Sequence, residues 1–255
     1  MTPTDGRPSS REDAVVAGSR SKCHNGEDSA RERQVGVRYE STPRRGSYVD
    51  VEYYQADSGA VFRGLWAAMT WISAALLSPL ILAASASNVV FKASSEFLSL
   101  IPSIFGFVLR YAFYRFTLAS CGRNVIIDLG TVFYYRDIEI GDNVTFGMSV
   151  IVHHCDFGND VMIGDGCRIV GGTRKHRFDR TDIPIRLQGG QIKKIFIGHD
   201  CWIDTSCVIM EEIGAGSVVG AGSVVLEPVP PGSICAGNPA TIKAHRPPRE
   251  DAAAL

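Results

Sequence analysis

From Cys121 onward, aliphatic residues return every six positions, and each is followed by a turn-forming residue. The clearest units are IGDNVT (140–145), FGMSVI (146–151), IGDGCR (163–168), IGHDCW (197–202), IDTSCV (203–208), IGAGSV (213–218) and VGAGSV (219–224). Self-similarity at a fixed short period marks a solenoid, in which each repeat buries its apolar face against its neighbours. Six residues supply one short strand and one corner, and three units close a triangular coil. The first and fifth positions point inward, because strand positions of one parity share a face. A large aliphatic is expected first and a small residue fifth; Val144, Val150, Cys167, Cys201, Cys207, Ser217 and Ser223 fit. Gly or Asp at the second position suits the corner.

The breaks in register carry information of their own. Unit starts run 121, 127, 133, 140, 146, 152, 157, 163, 169, then 197, 203, 209, 213, 219, 225, 231. The unit IMEE (209–212) is two residues short. The jump from 169 to 197 expels a loop over roughly 173–194, which carries His176. Loops this long in a compact domain are usually functional.

The rest of the chain divides by composition. Residues 1–56 are rich in charged and small polar residues without an apolar period, which predicts a disordered arm. Residues 57–118 form an apolar helical region, 119–246 the repeat domain, and 247–255 a flexible tail. Gly64–Phe91 contains no ionisable side chain. A helix needs roughly 20 apolar residues to span a bilayer, so a membrane helix or re-entrant segment is one reading. A buried helical hairpin is the other, since Ala and Ser dilute the segment and Pro79 sits at its middle. Residues 97–116 show helical spacing with one apolar face, which Pro102 and Gly106 should break or bend. Arg110 and Arg115 suit an interfacial helix beside anionic lipid; packing against the repeat domain explains the same pattern.

Composition excludes several classes. A net charge of −1 argues against nucleic acid as a partner. Seven cysteines without a C-x-x-C indicate neither a disulfide framework nor a zinc ribbon. Cys167, Cys201, Cys207 and Cys235 fall at one position of the repeat and read as small buried thiols in a reducing compartment. The polar start is unlike a secretory signal.

The repeats, the loop KHRFDRTDIPIRLQGG (175–190), the unit IGHDCWI (197–203) and the tail GSICAGNPATIKAHR (232–246) together resemble the hexapeptide-repeat acyltransferases. Within them the chain is similar to sugar O-acetyltransferases of polysaccharide biosynthesis. The carrying residues are His176, Pro184-Ile185, Gln188-Gly189, Ile197-Gly198, Trp202-Ile203, the run from Ile213 to Val225, and Gly237-Asn238-Pro239-Ala240. The match covers about 121–246.

The resemblance implies a mainly-β, left-handed parallel β-helix that assembles as a homotrimer, with active sites in grooves between coils. It implies acetyl-CoA as co-substrate and a saccharide or glycolipid as acceptor. It further implies His176 as the base, with Trp202, Gly220, Ala221, Gly222, Lys243 and Arg246 along the coenzyme and Ser149 and Gln188 toward the acceptor. His153 and His154 are adjacent and point to opposite faces of a strand, so one of the two, taken as His154, is expected toward the acceptor as well, a satisfied structural histidine being the other reading. The chain departs from the family at Leu226-Glu227, where members often carry Thr-Lys, and at Ser149, where sugar-binding members place an Asn.

The chemistry agrees with the residue types. A neutral sugar hydroxyl is a poor nucleophile and needs a base; imidazole, with a pKa near ~6.5, suits the task. Asp179, Asp182 or a backbone carbonyl would fix its tautomer. His199 and His245 read as solvated, and His24 lies in the arm. Zinc-dependent carbonic anhydrases share the repeat, but two of their ligands lie five residues apart and no His-x4-His occurs here, so no metal is expected. The expected function is an acetyl-CoA-dependent O-acetyltransferase, cytoplasmic and at the cytoplasmic face of a membrane, with possible contact through 64–116. N-acetylation of an amino-sugar nucleotide and a non-catalytic trimeric scaffold are the rivals.

Overall fold

The structure is a computed structural model; it describes residues 60–247, with side chains from Gly64 onward. The arm expected over 1–56 and almost all of the tail lie outside the described residues.

Four helices come first: α1 (Ala60–Leu76), α2 (Ser78–Ala86), α3 (Asn88–Ser99) and α4 (Ser103–Thr117). Pro79 falls in the first turn of α2, where a missing N–H costs nothing, and the chain bends by 67° between α1 and α2. No single helix among the described residues is long and apolar enough to cross a membrane. The 97–116 pattern is divided at Pro102, which caps α4. Gly106 does not break α4. It lies inside the helix, where a Cβ would come within 1.9 Å of the Ile101 carbonyl oxygen, so it marks a close approach.

The repeat domain is a three-sided prism of parallel sheets. On the first face Cys121, Ile140, Phe157 and Ile197 stack in register, and single bridges continue the stack to Ile213 and Val229. The second face stacks Ile127, Phe146, Ile163, Ile203, Val219 and Cys235. The third stacks Phe133, Val152, Ile169, Ile209 and Val225. All of these side chains are buried, as the hexad period requires. The final unit differs from the expected register. Val229, not residue 231, is its inward start, because VLEP (225–228) is shortened like IMEE. Cys235 therefore occupies the first position of its unit, while Cys167, Cys201 and Cys207 occupy the fifth.

The units that lead out of the first and second faces turn at their fourth residue, which takes positive φ, as at Asn143, Ser149, Gly166, Asp200, Ser206, Gly216 and Gly222. That is why Asn, Asp, Ser and Gly recur there. Glycine at the second position answers a different need. At Gly198 a Cβ would lie 2.5 Å from the Ala215 nitrogen of the next coil, so the stacking leaves no room.

The helices close the open N-terminal end of the prism. An aromatic chain runs from Tyr114 on α4 through Phe133 and Phe146 to Phe157, with ring centroids 4.7, 5.1 and 4.9 Å apart in edge contact. The buried Arg110 guanidinium donates to the carbonyls of Ile127, Leu98 and Ile101, tying α4 to the first coil and to the end of α3. On the other side the helices turn large apolar residues outward, among them Leu65, Trp71, Ile72, Leu76, Phe97 and Phe105. At the C-terminal end, Thr241–His245 pairs antiparallel with Ser233–Ala236 and covers the last rung of the second face.

Every departure from six-residue spacing falls at one of the three corners, the turn from the third face to the first. The extra residue before Ile140, the missing one before Phe157, both shortened units and the expelled loop all lie there.

Candidate functional site

The expelled loop leaves the prism after Ile169 and returns at Ile195. Its two legs touch. A Cβ on Gly171 would sit 1.9 Å from the Lys193 carbonyl oxygen, and one on Gly190 equally close to that of Lys175. Between them the Gln191 N–H donates to the Arg174 carbonyl at 2.9 Å and the Arg177 N–H to the Gly189 carbonyl at 2.8 Å. At the neck, Lys193 pairs with Glu211 at 2.6 Å and Lys194 with Asp156 at 2.8 Å, so adjacent lysines grip the coil above and the coil below. Hydrogen bonding to Glu211 holds the Lys193 ammonium above its ordinary pKa.

The Gln188 side chain organises the tip. Its Oε1 accepts the Arg180 N–H at 3.1 Å, and its Nε2 donates to the carbonyls of Arg180 at 2.6 Å and Ile183 at 3.0 Å. The carboxamide is thus occupied within the loop.

His176 projects from this hairpin, exposed, into a cavity of about 290 Å³ lined also by Arg174, Arg177, Phe178, Asp179 and Gln191. Among the described residues nothing hydrogen-bonds to its imidazole. Of the carboxylates considered as partners, Asp182 is paired with Arg180 and Asp179 shares the cavity. Arg174, Arg177, Phe178 and Gln191 were not singled out by sequence; the only signal for the first three is their place beside His176 in RKHRF, and Gln191 has none.

His154 lies beneath the loop neck, away from that cavity. Its Nδ1 is 3.1 Å from Asp137 Oδ2, its ring stacks on Tyr135 at 3.8 Å, and its Nε2 is buried without a partner. That nitrogen borders a space of about 10 Å³, at the lower limit for one water. Beside it His153 stacks on Tyr134 at 4.4 Å; burial, helped by the charges of Lys175 and His154, pushes its pKa down to about 4. Ser149 sits at another corner, between the second and third faces, where its carbonyl accepts from Arg168.

The residues expected along the coenzyme lie on or beside the second face. Trp202 points outward from the second face, 45% exposed. Ala221 and Gly222 are exposed at the second-to-third corner, and the space a Gly222 Cβ would take is open. The N–H groups of Gly220 and Gly222 are already donated to Cys235 and Thr205. Lys243 is exposed on the last strand with no ion pair among the described residues. Arg246 is engaged: its Nη1 contacts the Asp200 carboxylate at 3.0 Å and the Gly216 carbonyl at 3.1 Å. His199 is exposed as expected, and its Nδ1 accepts the Asn159 N–H at 2.8 Å. No group of three or more His, Cys, Asp or Glu able to hold a metal occurs among the described residues.

The sequence and the fold are similar to those of known proteins. No family model matches the sequence. A probable acetyltransferase of Mycobacterium tuberculosis is 31% identical over 114 residues, 43% of this chain and 37% of that protein. The galactoside O-acetyltransferase of Escherichia coli is 30% identical over 132 residues, covering 49% and 62%. A crystal structure of a hexapeptide-repeat acetyltransferase from Vibrio cholerae, in complex with acetyl coenzyme A, superposes with a TM-score of 0.53 at 28% identity, over 62% of this chain and 87% of that one. The chain spans about half the length of the curated relatives it matches first. The fold is that of a hexapeptide-repeat β-solenoid, and the chain is similar in sequence to sugar O-acetyltransferases.

Proposed function

We propose that the protein transfers an acetyl group from acetyl-CoA to a hydroxyl of a saccharide or lipid-linked glycan, with the His176 imidazole as general base. The observation that carries this reading is His176 itself. Its ring is free of internal partners and faces a sugar-sized cavity, on a loop whose neck and tip are pinned by side chains. The relatedness to galactoside O-acetyltransferases supports the reaction class.

The acetyl thioester supplies an activated acyl carbon and a thiolate leaving group. His176 takes the proton of the acceptor hydroxyl as its oxygen bonds to that carbon, then returns it to the departing sulfur. The chain contributes a strip suited to a long, amide-bearing arm: exposed Trp202, the open corner at Ala221 and Gly222, and Lys243 as an unpaired cation. This strip and His176 lie on different edges of one prism. The reading therefore needs one copy's loop against another copy's strip, as in a homotrimer.

We further infer that α1 and α2 rest on a lipid surface. Gly64–Phe91 holds no ionisable residue, neither helix alone is long enough to span, the pair is bent by 67°, and Leu65, Ile72 and Leu76 face outward on one stripe. Vesicle flotation of the full chain, lost on changing these three residues to Ser, is the expected outcome. Concentration-dependent self-association through the same residues, without flotation, would refute it.

Release of CoA thiol from acetyl-CoA, dependent on added saccharide, tests the main reading. Release that ignores every saccharide offered, or needs an amino-sugar nucleotide, would replace it.

A further inference from the structure

The expelled loop is far more basic than the chain. Residues 174–194 hold seven Lys and Arg against two Asp, in a protein of net charge −1. Three of the seven are neutralised locally: Arg180 by Asp182, Lys193 by Glu211 and Glu212, and Lys194 by Asp156. Arg174, Lys175, Arg177 and Arg186 have no ion pair or side-chain hydrogen bond among the described residues. Two of these four, Arg174 and Arg177, flank His176 in the lining of its cavity. Asp179 is the one carboxylate there, and it lies beyond ion-pair distance of either guanidinium. The remaining lining, Phe178 and Gln191, adds an apolar face and a neutral amide.

Two unpaired guanidiniums beside a candidate base are the arrangement that holds an oxyanion, since Arg forms paired charge-assisted bonds to phosphate and carboxylate. The cavity, at about 290 Å³, is at the small end of ligand sites, enough for a sugar unit and one charged group. The coenzyme's own phosphates are separated from its thioester by the whole pantetheine arm, so a base at the thioester is remote from them.

We propose that the acceptor is an anionic saccharide, carrying a phosphate or carboxylate close to the hydroxyl to be acylated, and that Arg174 and Arg177 bind that anion. The inference deepens the acyl-transfer reading and rests on it for the position of the hydroxyl. Bound this way, the anion fixes the sugar so that one hydroxyl meets the His176 imidazole, which turns charge recognition into regiochemistry.

Calorimetric titration of the full-length protein with inorganic pyrophosphate tests the site without turnover. Binding should persist at saturating CoA, weaken about tenfold or more in the Arg174→Gln/Arg177→Gln double variant, and survive in Arg186→Gln, a loop cation outside the cavity. Displacement by CoA would assign the arginines to the coenzyme. Equal binding by the double variant, or an equal loss in Arg186→Gln, would show no site or only a diffuse field. Each of these three results overturns the proposal. In the kinetic arm, a sugar phosphate, a uronate and their neutral parent are compared. The anion with the lower KM identifies the group, and the double variant should erase the preference; equal KM for all three in the wild type refutes it. Pyrophosphate binding as expected with no acyl transfer to any acceptor would remove the enzymatic reading and leave the anion site standing. Transfer to neutral sugars without anion binding would do the reverse.

Discussion

The prism and the loop it expels are built by opposite means. In the prism every rung repeats the same contacts: an inward apolar side chain over another, and a backbone N–H donated to the carbonyl one coil away. Loss of one contact leaves the same contact above and below. The loop has no such redundancy. Its neck depends on Gly171, Lys193 and Lys194, and its tip on the Gln188 carboxamide. Stability resides in the repeated part and the candidate chemistry in the unrepeated part, so substitutions should separate the two.

The largest stability effect should come from the aromatic chain. Phe146→Ala removes a fully buried ring in edge contact with Phe133 and Phe157 and should cost about 3–5 kcal/mol. Denaturant unfolding measures it, and turnover per folded molecule should stay near wild type. A collapse of turnover in the folded fraction would break the separation. Gln188→Ala should do the opposite. Three hydrogen bonds at an exposed tip contribute little to global stability, but their loss lets the hairpin drift, and turnover should fall roughly ten- to hundredfold. Thermal melting and kinetics on one preparation check both halves.

The smallest effect concerns His153, at the seam between prism and loop. Burial lowers its folded pKa from 6.5 to about 4, so between these values the unfolded chain binds a proton that the folded chain refuses. Its contribution is intact above pH 6.5 and declines as pH falls toward 4. His153→Phe keeps the stack on Tyr134 and cannot titrate, so it should flatten the loss of stability across that window. An unchanged slope would place the responsible group elsewhere.

The sequence exposes the prism more completely than the loop, for a physical reason. A hexad is a local rule, and the unit starts from 121 to 225 can be assigned because each needs one inward aliphatic. The rule fails at Val229, where VLEPVPPG offers two valines and three prolines and the spacing contracts by two. It fails also for the purpose of the second-position glycine, which depends on the coil above. The loop obeys no repeat. His176 is found by motif and by its place on an expelled segment, yet its neighbours Arg174, Arg177 and Phe178 appear only once the hairpin closes. Gln188 reads as part of the site from its position, and its hydrogen bonds to Arg180 and Ile183 are visible only in the folded loop. Likewise the clamp of Arg246 on Asp200 joins residues 46 positions apart that no local pattern links.

The central claim is that the prism carries the loop and the coenzyme strip, and that one imidazole on the loop acts as the base. Measuring melting temperature and saccharide-dependent thioester cleavage together for His176→Ala tests it most directly. The account predicts an unchanged melting temperature and turnover lower by about 10²–10⁴. Near-normal turnover in a folded variant, or a melting temperature that drops along with activity, would contradict it.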